Sequence, residues 1–222
     1  MADVKGDKQT RQYSSAVREE GARRTRRAVV AAATEVFTTR GYGATSLADI
    51  AAVAGVARPT VFAAFGSKCA LLREVVNQAL AGDDEPVPVA ERPWFQPVWR
   101  ATRQEAALDA YAAACTVIGA RAARTFETAR RAAGTAPDAA QLWEDVLANR
   151  RTGARSVVDH VASLGPLRSG LSRERATDLL WLLNDPLHYD ALVHRCGWPH
   201  DEFTPWLAAQ MRQALLDVPV LR

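Results

Sequence analysis

At 222 residues, with 48% of them hydrophobic and a formal net charge of only +3, the chain can build a packed core, which excludes a disordered polypeptide. Alanine-rich stretches carrying Leu, Val, Arg and Glu, with almost no alternating Val/Ile/Thr runs, exclude a sheet protein and point to an all-α fold. The three cysteines, Cys69, Cys115 and Cys196, are too widely spaced for a CxxC pair or a disulfide framework. No long uncharged apolar run or signal-type segment follows the N-terminus, so a soluble, cytoplasmic protein with reduced thiols and no membrane partner is expected.

Residues 1–21 are polar and mixed in charge, and the expectation is a mobile basic arm. From Ala22 the pattern changes. Val29, Val30, Ala33, Val36 and Phe37 recur at helical spacing, and Gly41 supplies a left-handed stop. Thr45 and Ser46 can cap a short second helix, with Asp49 in a capping-box position and Leu47, Ile50 and Ala51 as its apolar stripe. Gly55 ends that helix. A third short helix is expected over about 57–65, and after Gly66-Ser67 a fourth over about 68–80, which makes residues 22–81 one N-terminal unit.

The acidic, proline-punctuated stretch Gly82-Asp83-Asp84-Glu85-Pro86-Val87-Pro88 predicts a linker over about 82–92. A second domain, 93–222, is expected to be helical at about 101–118, 120–133, 138–164, 172–184, 186–196 and 200–217.

The stretch that carries function is Leu47 to Leu72. Two short helices joined by a tight glycine-containing turn form a helix-turn-helix, in which the first helix braces the second for the DNA major groove. Positive charge supports this reading: Arg11, Arg18, Arg23, Arg24, Arg26, Arg27 and Arg40 all precede the motif, a distribution suited to a polyanion. An all-α enzyme and a protein-binding helical adaptor are the competing readings. The chain has no Gly-rich phosphate loop, nucleophile elbow, HExxH or convincing carboxylate pair, so no enzymatic activity is expected.

The run from Arg24 through Gly-Tyr-Gly-Ala-Thr-Ser, the helix-turn-helix and Phe-Gly-Ser-Lys resembles the TetR family of transcriptional regulators over about a quarter of the chain. The C-terminal segments DLLWLLNDPLHYDALVHRCGW and FTPWLAAQMRQALL are similar to the helical effector-binding and dimerising domain of such proteins. The resemblance implies a homodimeric, ligand-responsive repressor on a palindromic double-stranded DNA operator. It assigns phosphate contacts to Thr45, Ser46 and Lys68, and the arginine cluster around Arg24 is expected to assist them. Arg58 and Thr60 are the candidate base readers, since an Arg fork matches guanine O6 and N7. The chain also departs from the family pattern. Phe62 stands where a phosphate-contacting Tyr is expected, Ala64 where a His or aromatic is, and Ala57 where a Ser cap is, while Pro59 suits the first turn of an uncapped helix. The burden of binding is therefore expected to shift to Arg58, Thr60, Lys68 and the basic arm, with Pro59 and Phe62 of the same helix also among the DNA-contacting residues.

All six tryptophans lie in the second domain. Most are expected in its core, but a small apolar or amphipathic effector implies a cavity, for which Trp99, Tyr111, Cys115, Trp143, His160, Trp181 and Asn184 are the candidates. Leu179, Leu182, Leu183, Trp206, Met211 and Leu215 are candidates for the dimer face. His188, His194, Cys196 and His200 cluster in sequence, but their spacing matches no structural zinc site, and neither metal nor other cofactor is expected.

Overall fold

The computed structural model describes residues 5–217, with side chains from Glu19 onward. Among these residues there is no strand, and no single helix is long and apolar enough to cross a membrane. The chain divides into two compact units, Met1–Val75 and Val76–Arg222.

The first unit contains α1 (Lys5–Arg40), α2 (Leu47–Ala54), α3 (Arg58–Phe65) and most of α4 (Lys68–Ala81). Its core is the stripe read from the sequence: Val29, Val30, Ala33, Val36 and Phe37 of α1 meet Ile50 and Ala51 of α2, Val61 and Phe65 of α3, and Leu71, Leu72 and Val75 of α4. Helix α1 begins at Lys5, well before the expected start at Ala22. The stretch expected as a mobile arm is therefore helical from Lys5 to Gly21; it holds Lys, Gln, Arg, Glu and Ala and no proline, so a helix anchored at Val29 propagates backward through it.

In the second unit the expected linker is folded around one buried guanidinium. Arg92 donates from Nη1 to both Asp83 oxygens at 2.7 and 2.6 Å, from Nη2 to Glu85 O at 2.8 Å and from Nε to Val87 O at 3.0 Å. The acidic and carbonyl-rich turn satisfies the charge that a linker would leave in water. A 3-10 turn, Val89–Glu91, and α5 (Gln96–Arg100) follow.

Helix α6 (Gln104–Ala133) is the axis of the unit, packed against α5, α7 (Pro137–Leu164), α9 (Pro186–Tyr189) and α10 (His200–Leu215); α8 (Arg173–Leu183) lies on α7 and α10. A π-helical turn, Asp190–Arg195, joins α9 to the loop before α10. The break expected between 118 and 120 does not occur. Gly119 is buried inside continuous helix because Tyr189 of α9 crosses there: a Cβ at Gly119 would stand 2.7 Å from Tyr189 Cβ and 2.9 Å from its Cγ. Close approach, not helix termination, explains that glycine.

Met211 and Leu215, expected on a dimer face, are fully buried in this unit's own core with Leu180, Phe203 and Leu207. Helices α6 and α10 are also tied by the Thr204–Thr116 hydroxyl bond at 2.9 Å and the Arg212–Asp109 ion pair.

Substituting Gly119→Ala should destabilise the protein by about 1–3 kcal/mol despite the better helix propensity of alanine. Denaturant unfolding measures this, and unchanged stability would show that the α6–α9 crossing is not tight.

Candidate functional site

The helix-turn-helix is assembled from local signals. Ser46 is extended (φ −108°, ψ 161°); its Oγ accepts from Asp49 N at 3.2 Å, and the Asp49 carboxylate accepts from Ser46 N at 2.8 Å and from Ser46 Oγ at 2.6 Å. The Ser46 hydroxyl, followed by its backbone N–H, holds the Asp49 carboxyl below the usual carboxylate range. Gly55 at φ +68° then closes α2 with Val56 N bonded to Ala51 O at 3.0 Å, and the chain bends by 109° into α3. Helix α3 starts at Arg58, its N-cap Ala57 offers no side-chain cap, and Pro59 occupies its first turn.

Eight residues do not make a stable helix alone, so α3 depends on what it packs against. Val61 and Phe65 face the core, whereas Arg58, Pro59, Thr60, Phe62 and Ala63 face outward, Phe62 with 61% of its surface exposed. Arg26 of α1 straps the far end of α3: it donates to Ala64 O at 2.9 Å, pairs with Glu74 Oε2 at 3.3 Å and lies 4.3 Å over the Phe65 ring. Between α1 and α3 runs a shallow groove lined by Ala22, Thr25, Arg26, Pro59, Thr60 and Ala63.

Two expected phosphate contacts are given other work by this geometry. Thr45 is only 3% exposed, and its hydroxyl donates to Gly41 O at 2.7 Å, closing the α1–α2 turn. Lys68 donates to Tyr42 O and Thr45 O, both at 2.9 Å, and sits 4.1 Å over the Tyr42 ring. Its charge is directed at the turn carbonyls, which makes it a positioning residue for the start of α2. Ser46 and Arg24 remain on the surface.

The second unit holds a cavity of about 270 Å³ that opens to solvent past Asn149, Gly153 and Ser156. Of the expected lining residues, Trp99, Tyr111, Cys115 and Asn184 are there, with Leu80, Phe95, Ile118, Val146 and Pro186 supplying apolar wall. Trp143, His160 and Trp181 are not in the wall. Trp143 packs edge-on to Phe126 at 5.8 Å, His160 packs against Trp99 at 5.6 Å, and the Trp181 ring lies 5.7 Å from the Arg150 guanidinium.

Arg150 is the lining residue that sequence reasoning missed. Its side chain is 8% exposed; Nη1 meets Asp185 Oδ2 at 3.1 Å, and Nη2 donates to Trp181 O at 2.9 Å and Asn184 Oδ1 at 2.7 Å. Asn184 in turn donates from Nδ2 to the Tyr111 hydroxyl at 2.8 Å. Burial raises the Tyr111 phenol well above its ordinary range and pushes the Cys115 thiol up to about 12, so both are neutral at physiological pH. A signal existed: Val146, Asn149, Arg150 and Gly153 recur at helical spacing along one face of α7.

The histidines near α9 take separate partners: His188 bonds Leu182 O at 2.8 Å, His194 meets Asp190 Oδ1 at 3.2 Å and His200 meets the Tyr189 hydroxyl at 2.7 Å.

Residues 29–75 match the family model of bacterial regulatory proteins, tetR family. The first unit is thus similar to that family over these residues, which take in the buried part of α1, both helices of the motif and the start of α4. No curated protein matches the chain. Among solved structures, a TetR transcriptional regulator from Chloroflexus aurantiacus superposes with a TM-score of 0.63 at 20% identity, over 88% of this chain and 98% of that one. A transcriptional regulator from Rhodococcus sp. gives 0.60 at 20% identity, over 87% and 99%. A protein from Saccharomonospora viridis, solved in complex with choline, gives 0.64 at 16% identity, over 87% and 98%. The all-α TetR fold thus extends over both units.

Two outcomes are expected of this geometry. Substituting Ser46→Ala should cost about 1 kcal/mol of stability. Because the folded state depresses the Asp49 pKa, the capping-box contribution is present above the unfolded carboxylate range and is lost as pH falls through the depressed value. Thermal melts should therefore show the deficit shrinking in acid; a constant deficit would contradict the carboxylate's part. In native protein, iodoacetamide should label exposed Cys196 and spare buried Cys69 and Cys115, as peptide mass mapping would reveal.

Proposed function

We propose that the protein is a homodimeric repressor that holds a palindromic operator and releases it when a small apolar or amphipathic molecule fills the cavity of the second unit. The observation that carries the DNA-binding part is the outward face of α3, where Arg58, Pro59, Thr60 and Phe62 stand exposed on a helix whose other face is locked into the core. Arg58 reads guanine through its fork, Phe62 and the Thr60 methyl meet thymine methyl groups, and Pro59 lets the backbone come close. Ser46 at the α2 N-terminus and Arg24 on α1 contact phosphates, fixing register without reading sequence.

One recognition helix reads one half-site, so a two-fold dimer is required to hold a palindrome. With Met211 and Leu215 consumed by the core, the dimer face is centred on Leu182, which is 55% exposed, together with the half-buried Leu179, Leu183 and Trp206. The effector reading is supported by the largely apolar cavity and by the choline held by a protein of the same fold. Helix α4 carries Lys68 at one end and Leu80, a cavity residue, at the other. A ligand need only favour the DNA-incompetent state by a few kcal/mol to empty the operator. Work on an operator places the protein in the cytoplasm.

Gel-shift titration against DNA flanking the protein's own gene should show affinity falling steeply with salt, as expected of released counterions. Arg58→Ala should weaken specific binding by about 1–3 kcal/mol while leaving the fold intact. Equal binding by the variant would overturn the role given to Arg58.

A further inference from the structure

Resting on the effector-cavity reading above, the structure assigns the chemical class of the effector: we infer an apolar monocarboxylate, its carboxylate on Arg150 and its body among Phe95, Trp99, Ile118 and Val146. Three observations converge on this. First, no Asp or Glu lines the cavity, whereas Arg150 does, so the only formal charge in the wall is positive. Asp185 meets one Nη of the guanidinium from outside that wall, and Trp181 O and Asn184 Oδ1 are neutral. The positive field of Arg150 nevertheless reaches Tyr111 and Cys115 and opposes the upward drift of both.

Second, Arg150 Nε, on the one cationic side chain of the wall, is buried without a hydrogen-bond partner. Buried donors left unmet are costly, and a donor on a cation prefers a charged acceptor. The Tyr111 hydroxyl, already accepting from Asn184, is neutral and adds a second polar group on the same side. Third, the remaining wall is aromatic and aliphatic, and about 270 Å³ is close to twice the roughly 150 Å³ of an apolar cavity that takes up benzene. That volume suits a molecule of roughly a dozen non-hydrogen atoms, one ring with a short acidic arm. A quaternary or primary ammonium ion is disfavoured by the same charge that holds the acid.

The test uses the 222-residue chain and three probes of one shape: cinnamate, cinnamyl alcohol and cinnamylamine, titrated by calorimetry with intrinsic tryptophan fluorescence as a second readout. Cinnamate should bind once per chain, roughly tenfold or more tightly than the alcohol, and the amine most weakly. A Cβ at Gly153 in the wall meets nothing within 4 Å, so Gly153→Phe should fold normally, fill the cavity and abolish binding of acid and alcohol alike. Arg150→Met should erase the preference for the acid while retaining the alcohol; if that variant does not fold, the wild-type series against Gly153→Phe decides. Equal affinity for acid and alcohol, both lost in Gly153→Phe, would overturn the carboxylate assignment and leave the cavity as an effector site. Binding indifferent to Gly153→Phe, or no saturable cinnamate binding, would overturn both.

Discussion

Everything the first unit does depends on Val61 and Phe65 being buried. Helix α3 is eight residues long and lacks a side-chain cap, so it owes its existence to tertiary packing more than to propensity. Those two side chains fix the rotation of the helix about its own axis. That rotation alone puts Arg58, Thr60 and Phe62 on the open side. The supporting ionic contacts serve the same end: Arg26 holds the last turn of α3 from α1, and Lys68 holds the turn that launches α2. Cations that a sequence would assign to phosphate are spent on backbone carbonyls and aromatic faces, where they keep the motif rigid.

This division of labour sharpens what the surface can recognise. With Lys68 and Thr45 bonded to backbone carbonyls, the outward face of α3 offers one guanidinium, one hydroxyl and an exposed phenyl ring. In the proposed function such a face would discriminate through a guanine fork and methyl contacts more than through a dense set of polar pairs. The second unit has a comparable economy: Arg92 organises the turn before α5, and Arg150 ties α7 to the α8–α9 corner beside the cavity.

The first unit was legible because its signals are local. A capping box at Ser46 and Asp49, a left-handed Gly55 and an apolar stripe from Val29 to Phe37 each dictate structure within one or two turns, and the TetR resemblance rests on those same residues. What failed depended on side-chain contacts that reach beyond one or two turns. Gly119 looked like a break until Tyr189, seventy positions on, explained it, and the acidic stretch after Gly82 looked like a linker until Arg92 was seen to gather it. For the cavity, Trp99, Tyr111, Cys115 and Asn184 were found by residue type, but Trp143 and Trp181 went elsewhere because tryptophan fills any large gap in a helical core. Arg150 was passed over because an arginine on a long helix is ordinarily a solvated one.

The central claim, that the outward face of α3 reads DNA through Arg58, is tested most directly by selection from a random pool of duplexes with the wild-type protein and with Arg58→Ala in parallel. The account predicts that the wild type enriches a palindrome with a conserved guanine in each half-site, and that the variant loses preference at that position alone while keeping the flanking thymines. Enrichment of the same motif by both proteins, or of none by the wild type, would contradict it.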